Sequence, residues 1–443
     1  MAKSVEDLKA AVSAEIDFKG AEAVRVARQV LDTPEPGFRE HRTAALVAQT
    51  LRGMGINCDE GIAVTGVKGF LDGGKAGPTI AVMGELDSLI VPGHPHADPV
   101  TGAAHACGHH AQIGSMVGAA IGLQATGVMD GLAGRVALMA VPAEEYIEIE
   151  YRNGLRREGT VEFLGGKPEL IRLGHLDDVD IAMLTHTTGG PQGASFAVGG
   201  TNNGLVAKFV RFSGTAAHAG AAPHAGVNAL NAAMIALSAI HAQRETYRDE
   251  DTIRVHPIIT RGGDAVNSVP ADVRMETFVR GKTIEAFQAA SAKVDRALRA
   301  GAMAVGGGVT ITTLPGYLPI RDEPTLVGLY RANAESRVGE SRVVDMGHRT
   351  GSTDMGDVSQ IMPVAHPYVV SASGNSHGDD YLVDDYELAV LTSAKAMAMT
   401  VVDLLADGAA KARQVLGGYK APLTKGGYLE LMRGMVREET FVE

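Results

Sequence analysis

The chain has 443 residues, enough for two or three domains, with 45% hydrophobic and 21% charged residues, the profile of a globular protein. A formal net charge of -12 argues against duplex nucleic acid and anionic membranes as partners. Two cysteines, Cys58 and Cys107, cannot build a disulfide framework. The opening MAKSVEDLKAAVSAEIDF carries no basic-then-apolar signal pattern, and no apolar run approaches the ~20 residues that cross a bilayer, so the cytoplasm is the expected compartment.

In chain order, residues 5–53 alternate polar and apolar positions at helical spacing, broken by the turn-forming DTPEPGF. Short, wholly apolar strands follow in GVKGFLDG, PTIAVMGELD, GRVALMAVPAEE and DIAMLTHT, with the small-residue helix AQIGSMVGAAIGLQATG between the second and third. Apolar strands separated by helices imply an α/β fold with a mostly parallel sheet covered on both faces. From about 200 to 315 the pattern becomes strand, helix, strand, strand, helix, strand: LVAKFVRFSG, GVNALNAAMIALSAIHAQRE, IRVHPIITRGG, DVRMETFVRG, TIEAFQAASAKVDRALRAGAMAV, GVTITTLPGY. That βαββαβ order makes a complete small α+β domain. After it come a helix (PTLVGLYRANAE), a strand (VAHPYVVSA) and a helix (YELAVLTSAKAMAMTVVDLLA). The expected plan is a catalytic α/β domain in two parts, 1–198 and 317–443, interrupted by an inserted α+β domain at 199–316.

Four features carry ligand chemistry. In HACGHHAQ, Gly108 permits a tight turn that turns Cys107 and His109 toward one point, where a thiolate and an imidazole suit zinc, and an imidazole also suits manganese, nickel or iron. The same residues also fit a buried small cysteine or an activated thiol. Glu144 and Glu145 leave an apolar strand at the end where open α/β sheets carry their sites, so one can bind metal while the other acts as a base; two acids in a solvated loop is the plainer reading. His186 follows the strand in DIAMLTHT, and His377 lies in the polar loop SGNSHGDD.

Taken in order, GELDSL, HACGHH, PAEE, the histidine after DIAML, FSGTAAHAGAAPHAGVNAL, GGDAVNSVPADVRMETFVRG, GSTDMGDVS and SGNSHGDD resemble the metal-dependent amidohydrolase family of aminoacylases, glutamate carboxypeptidases and auxin-conjugate hydrolases. The branch resembled most is that of auxin-conjugate and aminobenzoyl-glutamate hydrolases. The resemblance implies one or two divalent ions per chain, manganese or zinc first, nickel or cobalt next, with Cys107 bridging and His109, Glu145, His186 and His377 completing the ligands. It implies Glu144 as general base and Asp87 as the acid orienting a ligand histidine. In the inserted domain, a lid and dimerisation unit in this family, it implies that His218 donates to the oxyanion in the partner's cleft and that Asn267 contacts substrate carboxylate. A homodimer acting on a small, carboxylate-bearing substrate is therefore expected.

The chain departs from the auxin-conjugate pattern CGHDAH with CGHHAQ, which places His110 and Gln112 behind the ligands. It departs again after PAEE, where Tyr146, Glu148, Glu150, Tyr151 and Arg152 emerge either as one face of a solvated helix or as a wall recognising a planar anion. His348 and Arg349 of DMGHRTGSTD join that wall, since arginine pairs bidentately with carboxylates, whereas His94, His96 and His224 read as exposed loop residues. Three functions are consistent with this: hydrolysis of the amide of an N-acyl amino acid or aromatic-acid conjugate, hydrolytic deamination of an aromatic amine as in 5-nitroanthranilate aminohydrolase, and a non-catalytic binding relative.

Overall fold

The structure, a computed structural model, describes residues 3–442. Its central sheet has six strands in the order Cys58–Ile62, Gly66–Asp72, Ala133–Val141, Lys75–Glu85, Ile181–Met183 and Val364–Ala365. The last four run parallel, and the first two add an antiparallel edge. The parallel strands are apolar because both faces are covered. Ile80, Val82, Val136 and Leu138 pack under helices on one face, and Ala81, Met83, Ala137 and Met139 pack under Leu170, Met355 and Tyr428 on the other.

The helix His109–Leu123 is buried throughout. Gly114, Gly118 and Gly122 lie four residues apart and let it approach its neighbours closely. A Cβ at Gly114 would come within 2.7 Å of Ala27, and one at Gly118 within 2.8 Å of Ala394. This packing fixes the first residue of the helix, His109, at the edge of the sheet. The segment Glu387–Gly418 is long and apolar enough by composition to cross a membrane, and 89% of its most apolar window is buried inside the protein.

The inserted domain is an antiparallel sheet of Gly204–Ser213, Asp272–Gly281 and Gly308–Pro315, backed by the helices Ala229–Ala242 and Ile284–Met303. Val210 registers with Met275 and Ile311, so one face of the sheet is apolar and meets the helices.

Two strands read as continuous are each broken at a proline, which has no N–H to give to a ladder. IRVHPIITR divides into Arg254–Val255 and Ile258–Arg261. VAHPYVV divides into Val364–Ala365, in the central sheet, and Tyr368–Val370, in a second sheet with Val343–Asp345, Phe196–Val198 and His186–Thr188. One further strand departs from the expected plan. Arg437–Val442, within the stretch assigned to the catalytic domain, hydrogen-bonds along Gly308–Pro315 and extends the inserted sheet.

Candidate metal centre and catalytic cleft

The parallel strands end together, and the ligand-type side chains stand just beyond those ends. Lys75–Glu85 delivers Glu85 and Asp87, Ala133–Val141 delivers Glu144 and Glu145, and Ile181–Met183 leads to His186. Gly108, at φ 81° in the left-handed region, makes the turn that brings Cys107 and His109 to the same place. Ala143 and His377 also sit at positive φ, 51° and 68°, strain that the surrounding hydrogen bonds hold in place. The backbone N–H of His377 donates to Ala106 O at 2.9 Å.

The result is a compact cluster. Cys107, His109 and His186 offer ligand atoms within 4.8 Å of one another, and so do Cys107, Glu145 and His377. Together these are the five residues singled out in the sequence as ligands, and Cys107 belongs to both groups, the position a ligand shared by two ions must hold. Cys107 Sγ lies 3.5 Å from His186 Nε2, and His377 Nε2 lies 3.4 Å from Glu145 Oε1. His109 Nδ1 donates to Asp87 O at 2.9 Å with Asp87 Oδ1 at 3.3 Å, which turns Nε2 into the cluster. Asp87 Oδ2 also accepts the Glu145 N–H at 2.8 Å. His186 Nδ1 is engaged with Thr187 O at 2.7 Å, so its Nε2 too faces inward.

The residues fit a divalent cation. His109 Nε2 and Glu145 Oε1 are buried without hydrogen-bond partners, which is costly unless something else satisfies them. Burial opposes a charge on His109, yet Glu85 and Asp87 outweigh it and lift its pKa well above the usual imidazole value, so the cluster attracts positive charge. Burial and the adjacent Glu145 push the Cys107 thiol up, which makes a neighbouring cation the condition for a thiolate. Burial, then Glu85 and Glu145, push the Glu144 carboxyl well above the usual carboxylate range. That is the direction a proton-carrying base requires.

A buried network missed in the sequence stands behind the cluster. Lys167 Nζ donates to Glu85 Oε1 at 2.6 Å and also to Asp354, and all three side chains are fully buried. Burial alone would raise the Glu85 pKa, but Lys167 and His109 hold it below the usual range. Gln112, one of the departures from CGHDAH, clasps Glu85 by accepting its N–H at 3.2 Å and donating to Oε2 at 2.9 Å. His110, the other, meets Tyr386 OH at 3.1 Å. GELDSL and GSTDMGDVS read only as motifs of the resemblance, and nothing near Lys167 announces its partners.

The cluster opens into a cleft of about 660 Å³ between the catalytic and inserted domains. Of the wall expected after Glu145, only Tyr146 and its neighbour Ile147 line it. Tyr146 OH donates to Pro315 O at 2.8 Å. Glu148 pairs with Arg39, Glu150 pairs with Arg274, and Tyr151 lies under Arg39. Arg152 is fully buried away from the cleft, donating to Leu164 O at 2.8 Å and Ala143 O at 3.3 Å beside the Phe38 ring. It fastens the turn that presents Glu144, and the other hand on that turn is Glu40, which accepts the Ala143 N–H at 2.7 Å.

Of the other candidates, Arg349 lines the cleft. His348 does not: it bonds Thr201 Oγ1 at 2.8 Å and Asn203 Oδ1 at 3.1 Å, at the crossover into the inserted domain. His218 and Asn267 are exposed and occupy adjoining loops, with the Ala219 N–H donating to Asn267 O at 2.9 Å. His94, expected on the surface, is buried, with Nε2 2.7 Å from Tyr381 O, whereas His96 and His224 are exposed. Sequence reading also missed Arg280, which stacks over Phe278 at the cleft wall and feels Glu145 and Glu144 as its strongest charges.

Residues 201–304 match the family model described as the peptidase dimerisation domain. The chain is 27% identical over 433 residues to the Xaa-Arg dipeptidase of Mus musculus, covering 91% of this chain and 90% of that one. It is 28% identical over 351 residues to one of the subunits of the p-aminobenzoyl-glutamate hydrolase of Escherichia coli (strain K12), covering 75% of this chain and 76% of that one. A dinuclear metal-binding peptidase of the M20 family from Bacillus subtilis superposes with TM-score 0.63 at 21% identity, over 87% of this chain and 98% of that one.

Over most of its length the chain is similar to curated peptidases and hydrolases, and it shares the fold of that dinuclear metal-binding peptidase. The curated relatives it matches are hydrolases, and residues 201–304 of its inserted unit match the peptidase dimerisation domain.

Proposed function

We propose that this chain is a metal-dependent hydrolase of the M20 type that cleaves the amide bond of an N-acyl amino acid or aromatic-acid conjugate bearing a carboxylate. The observation that carries the reading is the pairing of Glu144 with the five-residue cluster at the mouth of a cleft whose wall presents Arg280. Cys107, His109, Glu145, His186 and His377 would hold the metal, manganese or zinc before nickel or cobalt, which when bound polarises the scissile carbonyl and acidifies water.

Glu144 takes the proton from the attacking water and delivers it to the leaving nitrogen, a role its raised pKa supports. Asp87 keeps the His109 ring in one orientation. Arg280 receives the substrate carboxylate, and Tyr146, Phe278 and Tyr317 give the cleft an aromatic wall. His218 and Asn267 act on the partner's cleft, consistent with their exposure at the end of the inserted domain.

The aromatic-amine reading drew on residues 146–152 as a recognition wall. With Glu148, Glu150 and Arg152 engaged elsewhere, the amide reading is the better supported. Mass spectrometry of N-acyl amino acids, aryl-amide conjugates and aromatic amines, incubated with enzyme loaded separately with manganese and zinc, tests it. Splitting of an amide into acid and amine, absent with Glu144→Ala, is the expected result. Release of ammonia with no fragment lost would overturn it.

A further inference from the structure

The cleft holds a second guanidinium that the reaction above does not use. Arg349 enters from the catalytic domain, four residues beyond the strand Val343–Asp345, whereas Arg280 enters on a strand of the inserted domain. The Arg349 guanidinium carbon lies over the Tyr368 ring, 4.2 Å from its centroid, and Tyr368 packs against His186 with ring centroids 5.5 Å apart. Its backbone is fixed as well. Residues His348 and Arg349 pair in parallel with Thr201 and Asn202, and Arg349 O accepts the Asn203 N–H at 3.2 Å.

Despite this anchoring, Arg349 Nη1 is buried without a hydrogen-bond partner, and no carboxylate among the described residues forms an ion pair with it. Three residues on, Ser352 also lines the cleft, and its Oγ is buried and unpartnered too. Two donors three residues apart on one cleft-lining loop are therefore both buried with nothing to accept from them, an arrangement whose desolvation cost calls for an acceptor. A rigid planar fork beside a hydroxyl matches a carboxylate.

We propose that Arg349 and Ser352 form a second anion subsite beside His186, so that the substrate is at least dianionic: one carboxylate on Arg280 and a second on Arg349. This rests on the amide-hydrolase reading for its position in the reaction. The second carboxylate belongs to either the amino-acid side chain or the acyl group, and the test separates the two. Arg254, at the rim of the same cleft, spends Nη1 on Ile253 O at 2.9 Å and is not part of the subsite.

Two substrate pairs differ by one charge at constant shape: N-benzoyl-glutamate against N-benzoyl-glutamine, and N-succinyl-glycine against N-succinamoyl-glycine. For one pair, kcat/KM of the wild type should favour the carboxylate by about 10- to 100-fold, the span of a charge-assisted hydrogen bond. Arg349→Met should erase that preference, Arg349→Lys should restore part of it, and Ser352→Ala should weaken it by less. Arg280→Met should lower both members of the pair alike.

A wild type indifferent to the charge in both pairs overturns the proposal, as does an Arg349→Met loss equal for both members, which marks a packing role beneath Tyr368. Calorimetry of glutarate against butyrate on metal-loaded Glu144→Gln protein separates this from failure of the amide reading. Glutarate bound more tightly than butyrate through Arg349 upholds the subsite even where no amide is cleaved, and equal binding overturns it.

Discussion

The cluster around Cys107 and His109 and the loops carrying His218 and Asn267 lie in one polypeptide but are built in opposite ways. In the cluster, Glu85, Asp87 and His109 are all buried, and each is gripped from behind by Lys167, by the Glu145 N–H or by Asp87. At the end of the inserted domain His218 is exposed, its Nδ1 accepting the N–H groups of Gly220 and Ala221 at 3.1 and 3.0 Å. The first region stores orientation within the fold. The second has a preset ring and a free Nε2, and acquires a task from what comes to it.

Mutations should separate the two regions cleanly. Replacing Glu144 by Gln keeps the shape and removes the base, and kcat should fall by about 10²- to 10⁴-fold while bound metal, read by elemental analysis, stays constant. Lys167→Met leaves Glu85 and Asp354 as uncompensated buried charges, so denaturant unfolding should show a loss of about 3–5 kcal/mol.

His218→Ala should cost about 10²- to 10³-fold in kcat with no change in the unfolding midpoint, because the side chain packs against little. Mixing His218→Ala with Glu144→Gln subunits should restore part of the activity if the ring acts across the dimer. Verified heterodimers without recovery would count against the crossing. The smallest effect belongs to Arg39→Gln, which breaks a half-exposed pair with Glu148 and should change stability by about 1 kcal/mol or less.

Much of this fold was legible because its signals are local. Apolar runs with a period-free texture marked the parallel strands, and the ends of those runs located Glu144, Glu145 and His186. That Cys107, His109, Glu145, His186 and His377 come together was legible through the order of motifs, which carry their own turns. What escaped were residues defined by distant partners. Arg152 lies on a helix with an ordinary polar face, and only the fold brings Leu164 O, Ala143 O and Phe38 around it. Glu85, Lys167 and Asp354 come from three segments, so no window of sequence contains the network. His94 reads as a loop histidine until Tyr381, far along the chain, covers it.

The strand Arg437–Val442 changes how copies of this chain can meet. By pairing with Gly308–Pro315 it becomes one outer border of the inserted sheet, and that border now reads Arg-Glu-Glu. The opposite border presents Ile258 and Ile259, which are 60% and 37% exposed. Charged borders repel added strands, and apolar ones invite them. A sheet with one inviting side can join a single counterpart, back to back about a twofold axis, and then has no inviting side left. The inserted sheet thus carries charge along one border and apolar side chains along the other, a pattern that favours a single pairing over open-ended growth.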